Sequence, residues 1–291
     1  MKSLKVDAVT IERLVESEGP FAAPDFLFPD ATPELVANEV AWLQPSFFDL
    51  EKNMLIMSFH SYVVRTPRHT ILVDTCVGND KQRPDRPFWH QLETSYLNDL
   101  VALGIQPEEV DYVMCTHLHA DHIGWNTKLI DGRWVPTFPN ARYVFARREY
   151  DYWCEQSKSV SEPVNHGAFE DSVLPIIESG QAVLVESDYS LDDHVWIQPA
   201  PGHTPGNVII NAGSSNQRAV LCGDTIHHPI QLTYPEWSSR FCEDPIQSYA
   251  TRKNLLETLA DTSDFLLAAH FPNPTAGRIV SQDHGFRFES Y

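Results

Sequence analysis

Histidine and aspartate side chains are concentrated between residues 116 and 124, where the sequence reads THLHADHIG. This stretch follows the apolar run VDYVMC, which predicts a short buried strand. His117 and His119 leave the strand at i and i+2, so they project to the same side. Asp121 and His122 follow where a turn enters the next helix, close enough to reach a second ion. Three histidines and an aspartate this close together, without a thiolate, are typical of a site for zinc, iron, manganese or cobalt rather than of a polar loop with satisfied histidines.

Polar side chains also stand at the ends of other apolar runs. Asp74 follows TILV and His117 follows YVMCT, while Asp224 follows AVLCG and His270 follows FLLAA. Loops at strand ends, held by a rigid sheet, are where α/β folds place their functional side chains. We therefore expect these four positions to line one edge of the sheet structure.

The elements that must hold these side chains alternate between strand and helix. Strand-like apolar runs occur at MLIMSFHSYVVRT, HTILVDT, VDYVMCT, RYVFA, HVWIQPA, NVIINAG, RAVLCGD and DFLLAAH. Helices are predicted over residues 91–103, RREYDYWCEQ and IQSYATRKNLLETLA. Short strands with covering helices indicate one α/β layered domain over residues 54–291. Residues 1–53 include the Pro- and Phe-rich FAAPDFLFPDATPE, and we predict an extended arm or lid there.

Composition narrows the classes of partner. The 291 residues include 21 Lys and Arg against 40 Asp and Glu, a formal net charge of −19. Nucleic acids and anionic membranes bind basic surfaces, so this balance argues against both. No apolar run reaches the roughly 18 residues of a membrane span, and MKSLKVDAVTIERLVESEG lacks the apolar core of a signal peptide. Five scattered cysteines without a C-x-x-C pair are typical of reduced thiols, so we expect a cytoplasmic location.

The histidine-rich stretch resembles the H-x-H-x-D-H motif of the metallo-β-lactamase superfamily. Further motifs match in order: PGHTPG around His203, CGDT around Asp224, and AAH ending at His270. Asp74 matches the family's first motif, and the whole resemblance covers roughly residues 54–275. It implies a four-layer αββα sandwich in which two sheets pack face to face, helices lie outside, and metal ions lie at one edge.

The resemblance also implies a ligand set. The predicted ligands are, for one divalent ion, His117, His119 and His203, and, for a second, Asp121, His122 and His270. Asp224 would bridge both ions together with a hydroxide that attacks the substrate. Asp121 would also shuttle a proton, and Asp74 would support the ligand loops without binding metal. Zinc is the favoured metal, with manganese, iron and cobalt as alternatives.

Within the superfamily, the sequence excludes several branches. Common class B β-lactamases carry cysteine where Asp224 stands, and an RNA-processing enzyme would need a basic exosite, which a chain of charge −19 hardly offers. What remains resembles the lactonase and methyl-parathion-hydrolase-like branch. This implies a dinuclear hydrolase of lactones or carboxylic esters, similar to N-acyl-homoserine lactonases. A phosphotriester hydrolase and a non-catalytic binding or sensing protein are the alternatives.

Substrate-contacting residues are predicted from positions beside the ligand motifs. Compact lactonases carry a tyrosine three residues after the bridging aspartate, where this chain has His227. We predict that His227 is catalytic in place of that phenol, with lining of the pocket as the alternative. Trp125 and Phe271 are predicted to line a pocket for a small hydrophobic ester or lactone, because apolar walls suit such substrates. The N-terminal arm is predicted to mediate a homodimer.

Overall fold

The computed structural model describes residues 3–159 and 163–291. In chain order its strands are β1 (Leu4–Val6), β2 (Val9–Ala22), β3 (Phe48–Asp49), β4 (Met54–Arg65), β5 (Thr70–Val73), β6 (Tyr112–Met114), β7 (Thr127–Ile130), β8 (Arg133–Pro136), β9 (Arg142–Ala146), β10 (Ala182–Val185), β11 (Val195–Pro199), β12 (Val208–Gly213), β13 (Arg218–Leu221), β14 (Phe265–Leu267), β15 (Ala276–Ser281) and β16 (Phe286–Ser290). The α-helices are α1 (Pro24–Leu27), α2 (Pro33–Leu43), α3 (Tyr96–Ala102), α4 (Ala120–Ile123), α5 (Arg147–Ser159), α6 (Leu174–Glu178), α7 (Ile230–Thr233) and α8 (Pro245–Leu259). Short 3-10 turns lie at Pro107–Glu109, Gly124–Asn126, Val164–Gly167 and Gly223–Thr225, and a π turn lies at Phe169–Val173.

The first sheet has the strand order β1-β2-β4-β5-β6-β9-β10, and β3 pairs with β4. Its β5, β6 and β9 are parallel: Val73 lies opposite Met114, and Met114 lies opposite Val144. Parallel strands end at the same edge of a sheet, so the loops after β5 and β6 leave it side by side.

The second sheet has the order β11-β12-β13-β14-β15-β16. Its β13 and β14 are parallel, with Leu221 opposite Leu267, whereas the other neighbours are antiparallel. The loops that carry Asp224 and His270 therefore leave this sheet together. A separate hairpin of β7 and β8 lies apart from both sheets.

The two sheets pack face to face, and helices cover their outer faces. Side chains alternate along each strand. In β13, Leu221 lies in the core between the sheets, whereas Val220 packs against α8. In β6, Met114 lies in the core between the sheets, and Val113 packs with residues of α3 and α5. Strands buried on both faces read as continuous apolar runs, and the predicted αββα sandwich is confirmed.

Residues 4–22 differ from the predicted extended arm. Strand β2 pairs antiparallel with β4 from Thr10 opposite Arg65 to Ala22 opposite Leu55, with β1 beside it. The segment is a strand because its alternating pattern buries one face: Val9 and Ile11 lie in the core between the sheets. Residues 24–43 form α1 and α2 over a separate apolar cluster. The division at residue 53 remains a prediction.

Within residues 3–159 and 163–291, no helix combines the length and apolar character that crossing a membrane requires.

Candidate metal centre

Loops from both sheets meet at one edge of the sandwich. The loops after β5 and β6 come from the first sheet, and those after β11, β13 and β14 come from the second. The predicted ligands lie in two groups, and within each group the potential ligand atoms are within 4.8 Å of one another. The first group is His117, His119, His203 and Asp224, and the second is Asp121, His122 and His270.

In the first group, three imidazole nitrogens face one another. His119 Nδ1 lies 3.1 Å from His117 Nε2 and 2.8 Å from His203 Nε2. On the other side of its ring, His117 Nδ1 lies 3.1 Å from Thr116 Oγ1. Thr116 donates its own proton to Asp74, so it accepts from His117 Nδ1. The Nε2 atom of His117 therefore carries a lone pair.

In the second group, both imidazoles donate from Nδ1 to a fixed acceptor. For His122 the acceptor is Asp74 Oδ2 at 2.9 Å, and for His270 it is the backbone carbonyl of Ser58 at 3.1 Å. In the neutral form of each ring the Nε2 atom therefore carries the lone pair, because the bond at one ring nitrogen sets the tautomer. These Nε2 atoms lie 3.8 and 3.5 Å from Asp121 Oδ2.

Asp224 lies between the groups and turns one carboxylate oxygen toward each. Its Oδ1 lies 3.2 Å from His122 Nε2 and 3.1 Å from His270 Nε2. Its Oδ2 lies 3.3 Å from His203 Nε2 and 3.8 Å from His117 Nε2. The one side chain thus reaches both groups.

In their neutral forms, His122 and His270 turn Nε2 lone pairs toward Asp224 Oδ1, which is unfavourable unless a proton or a metal cation lies between them. Among the described residues, His122 Nε2 and Asp224 Oδ1 are buried without a hydrogen-bond partner, although they are only 3.2 Å apart. Imidazole and carboxylate ligands suit zinc and similar divalent ions. The residues of the cluster therefore fit divalent metal ions.

Burial and charge set the protonation of the cluster. Burial lowers the pKa of His117 and His203 well below its usual range, so both rings are neutral. Burial alone would raise the pKa of Asp224, but the neighbouring imidazoles, His270 first, hold it well below the usual carboxyl range. Burial alone would also lower the pKa of His122 and His270, but Asp224 raises the pKa of both above the usual range, so a metal ion would replace a proton at these rings. Neutral imidazole and ionised carboxylate are the forms that bind metal.

Asp74 is hydrogen-bonded to two segments that carry predicted ligands. It accepts hydrogen bonds from the backbone nitrogen and the hydroxyl of Thr116, each at 2.8 Å, and from His122 at 2.9 Å. Gly223, just before Asp224, lets that loop approach the same threonine, since a Cβ on it would lie 2.6 Å from Thr116 Oγ1. Asp74 thus ties the strand end that leads to the histidine motif to a ring of the second group.

His227 lies beside Asp224 but outside both ligand groups. Its Nε2 is 3.2 Å from Asp224 Oδ2 and 3.1 Å from Ser239 Oγ, and its buried Nδ1 has no partner among the described residues. Burial lowers the pKa of His227 although Asp224 opposes this, so the ring is neutral. The neighbouring His228 donates to the backbone carbonyl of Phe47 at 2.8 Å, which is a structural role.

A cavity of about 500 Å³ opens over the cluster. Its polar floor includes His119, Asp121, Asp224, His227 and His270. Its apolar and aromatic walls include Phe21, Met57, Phe59, Trp89, Trp153 and Phe241. A substrate in this cavity would lie between the cluster and aromatic rings.

Trp125 and Phe271, which were predicted to line the pocket, are not among the described residues around this cavity. Trp125 stacks on Tyr96 with ring centroids 5.1 Å apart, and its Nε1 donates to Glu16. Phe271 is fully buried and packs against Phe47. Phe271 directly follows His270 in the chain, but its ring lies in the apolar cluster beneath α8 and not in the cavity.

Two residues that the sequence did not single out brace the ligand loops. Asn165 donates to the backbone carbonyl of Leu118 at 2.6 Å and accepts from the backbone nitrogen of Ala120 at 3.0 Å. Glu149 accepts from the backbone nitrogen of Leu118 at 3.0 Å. A carboxylate in the first turn of a helix directly after an apolar strand was a signal for Glu149. Asn165 lies in a loop whose local sequence carries no such signal.

A family model described as the Metallo-beta-lactamase superfamily matches residues 60–283, more than half of the chain. This chain belongs to the metallo-β-lactamase superfamily. The resemblance carried by the motifs is thereby confirmed. The matched region begins within β4, so strands β1 and β2 lie outside it.

Curated relatives within the superfamily are N-acyl homoserine lactonases. One from Bacillus cereus is 24% identical over 166 residues, which cover 53% of this chain and 58% of that protein. AttM of Azorhizobium caulinodans is 45% identical over 51 residues, covering 18% of this chain and 16% of that protein. The chain spans little more than half the length of the first of these relatives and less of the second.

Solved superfamily structures match over nearly the whole chain. A hydrolase named AbOPH has a TM-score of 0.81 at 23% identity, covering 99% of this chain and 96% of that one. AidC, a dizinc quorum-quenching lactonase in complex with a product, has a TM-score of 0.78 at 23% identity, covering 100% and 97%. At this identity the likeness shows the fold.

Proposed function

We propose that this metallo-β-lactamase-fold chain is a metal-dependent hydrolase that opens lactones or cleaves related carboxylic esters. The observation that carries the proposal is the position of Asp224, whose two oxygens face two histidine groups on the floor of one apolar cavity. A carboxylate so placed is suited to holding two divalent ions in one centre. The N-acyl homoserine lactonases among the relatives support lactones as the substrate class.

The donor set supports divalent metal ions, with zinc favoured because imidazole and carboxylate are its usual ligands where no thiolate takes part. The ligands we propose are, for one ion, His117, His119 and His203, and, for the other, Asp121, His122 and His270, with Asp224 shared. Such ions supply Lewis acidity and lower the pKa of water toward neutrality. AidC, a dizinc lactonase of the same fold, is consistent with this choice of metal.

Two residues of the cavity floor are proposed to act on the substrate. Asp121 lines the cavity, with its Oδ2 atom 3.5 Å from His270 Nε2, and is placed to carry a proton to the leaving oxygen. His227 lies on the same floor, and its Nε2 is 3.2 Å from Asp224 Oδ2, where it can donate to that carboxylate. We propose that the His227 ring contacts a substrate oxygen in place of the phenol of compact lactonases.

The walls of the cavity support a hydrophobic substrate. A second cavity of about 380 Å³ adjoins the first, with Phe21, Trp89 and Phe241 lining both. Phe26 and Phe88 continue this apolar surface outward. An apolar acyl chain that leaves the metal cluster along this path gains about 0.8 kcal/mol for each methylene that it buries.

A phosphotriester with an aryl leaving group is the second candidate substrate. Three aromatic rings of the wall lie close together: the Phe59 centroid is 5.2 Å from Phe21 and 5.9 Å from Trp89. Such rings suit stacking with an aryl group. The same metal chemistry serves phosphoryl and carbonyl centres.

The deciding measurement is kcat/KM on a matched panel of substrates: short and long acyl lactones, an aryl ester and an aryl phosphotriester. The protein is metal-replete, with a chelated sample as the control. We expect a lactone preference of about a hundredfold, equal to about 2.7 kcal/mol of transition-state binding. A phosphotriester preference of that size would replace the lactone assignment. Rates that are undetectable on every substrate would instead favour a non-catalytic binding protein.

A further inference from the structure

Glu149 lies beneath the first histidine group, in the first turn of α5. The residue is only 1% exposed. A carboxylate at this depth is strongly unfavourable unless its oxygens are well hydrogen-bonded. Burial raises the pKa of Glu149, and hydrogen bonds from Thr204, Leu118, Trp153 and Gly206 oppose that rise. Three of these four donors lie on the loops that carry the first histidine group, and the fourth lies on α5.

One oxygen of Glu149 faces the loop that carries His117 and His119. Its Oε1 accepts from the backbone nitrogen of Leu118, the residue between the two histidines, at 3.0 Å. The same oxygen accepts from Trp153 Nε1 at 2.7 Å. The Trp153 ring lies against the His119 ring, with centroids 5.4 Å apart. Oε1 therefore holds the backbone between two ligands and a ring that packs on one of them.

The other oxygen faces the loop that carries His203. Its Oε2 accepts from Thr204 Oγ1 at 2.7 Å and from the backbone nitrogen of Gly206 at 2.9 Å. Gly206 approaches the helix so closely that a Cβ on it would lie 2.2 Å from the backbone nitrogen of Glu149. The His203 loop is thus pressed against the first turn of α5.

We propose that Glu149 is a positioning residue that holds the His117–His119 loop and the His203 loop at the separation the first metal ion requires. The two loops come from different sheets, and the single carboxylate is bonded to both. This inference rests on the metal centre proposed above. In this inference Glu149 positions the histidines of the first group and does not act on the second group.

Only a carboxylate satisfies all four donors. Leu118 N, Trp153 Nε1 and Gly206 N are fixed N–H donors, whereas the hydroxyl of Thr204 can reverse its role. In Glu149→Gln, one oxygen becomes an NH₂ group that faces at least one fixed donor. The substitution therefore removes at least one hydrogen bond of the bridge between the loops, with almost no change in side-chain volume.

Glu16 offers a matched control. It is a partly buried carboxylate, and it accepts from the backbone nitrogens of Val77 at 2.9 Å and Gly78 at 3.0 Å and from Trp125 Nε1 at 2.7 Å. None of these donors lies on the two loops of the first histidine group. Glu16→Gln makes the same chemical change near the cluster without touching those loops.

Two variants of the chain allow zinc binding at each histidine group to be measured separately. His270→Ala removes a ligand of the second group, and His203→Ala removes a ligand of the first. The Kd for Zn²⁺ is measured by chelator competition in each background, with and without Glu149→Gln. We expect Glu149→Gln to weaken zinc binding about 10- to 100-fold in the His270→Ala background and less than about twofold in the His203→Ala background. Glu16→Gln is expected to leave zinc binding in the His270→Ala background within about twofold.

Thr204→Val provides a second test, because it removes one donor and keeps the carboxylate. It is expected to weaken zinc binding in the His270→Ala background, by a smaller factor than Glu149→Gln. It provides the test if Glu149→Gln does not fold. Equal losses in both backgrounds, or no loss with either variant, would overturn the inference and leave the metal centre in place. Absence of zinc binding in the unaltered chain would overturn the metal centre and the inference together.

Discussion

Replacing Asp74 by asparagine tests how the chain orients a ligand of the second group. The Asp74 carboxylate accepts from the backbone nitrogen and hydroxyl of Thr116 and from Nδ1 of His122, all within 2.9 Å. Asp74→Asn keeps the size of the side chain but turns one oxygen into NH₂. The backbone nitrogen of Thr116 requires an acceptor at Oδ1, so the NH₂ group takes the Oδ2 position and faces the Nδ1 proton of His122.

The size of the effect follows from this clash of donors. His122 must either lose the contact or move its proton to Nε2, where it would point at Asp224 Oδ1, 3.2 Å away. A proton there occupies the lone pair that a metal ion needs. Losing such an outer partner costs about 10- to 100-fold in metal affinity, equal to about 1.4–2.7 kcal/mol. We expect the loss at the second group.

The assay measures Kd for Zn²⁺ in the His203→Ala background and kcat/KM on the preferred lactone in the otherwise unaltered chain. Asp111→Asn is the matched control, because this carboxylate accepts a backbone N–H from Thr70 at 2.8 Å, at the opposite end of β5. We expect the control to leave both quantities within about twofold. Unchanged zinc affinity in Asp74→Asn would refute the tautomer argument.

Three further predictions address the bridge, the pH dependence of stability and the assembly. Asp224→Ala removes the oxygens that face both groups, so we expect loss of both ions and of hydrolysis, read from metal content and kcat/KM; a metal-replete, fully active variant would contradict the bridging role. Burial lowers the pKa of Lys81 from 10.5 to about 7 in the folded chain, although Asp171 opposes this. The unfolded chain therefore binds the extra proton between these values, and stability rises with pH across that window. From pH 7 to 9 this adds up to about 2.7 kcal/mol to the free energy of unfolding. Lys81→Met should abolish that rise, as measured by urea unfolding at the two pH values. The same rise in the variant would disprove the assignment to Lys81. The predicted homodimer is tested at Trp42 and Leu50, apolar side chains of the N-terminal segment that are 38% and 62% exposed. Trp42→Glu with Leu50→Glu should halve the mass measured by light scattering. An unchanged dimeric mass would exclude that interface.

The ligand candidates could be predicted from the sequence because their chemistry is local. The motif HLHADH places His117, His119, Asp121 and His122 within six residues directly after an apolar run. A strand followed by such a run of donors leaves few arrangements, since side-chain direction at a strand end follows from the backbone period. The fold class followed in the same way, because strands buried on both faces read as continuous apolar runs.

The N-terminal strands were not predicted, because their partner is distant in the chain. The alternation of VTIERLVESE is a strand pattern, but what makes it part of the sheet is pairing with β4, about fifty residues further on. Pairing between distant segments leaves no mark in the local sequence beyond that alternation. An extended arm and a strand of the sheet therefore look alike until the sheet is assembled.

The sequence by itself determined which residue types could bind metal and in what kind of fold. Only the tertiary structure decided which oxygen of Asp224 faces which histidine group, that Trp125 and Phe271 turn into the core, and that Glu149 joins the two loops of the first group. Ligand identity follows from donor chemistry, which a short motif carries. The direction and partners of a buried side chain follow from packing between segments far apart in the chain, and that packing exists only once the two sheets have closed on each other.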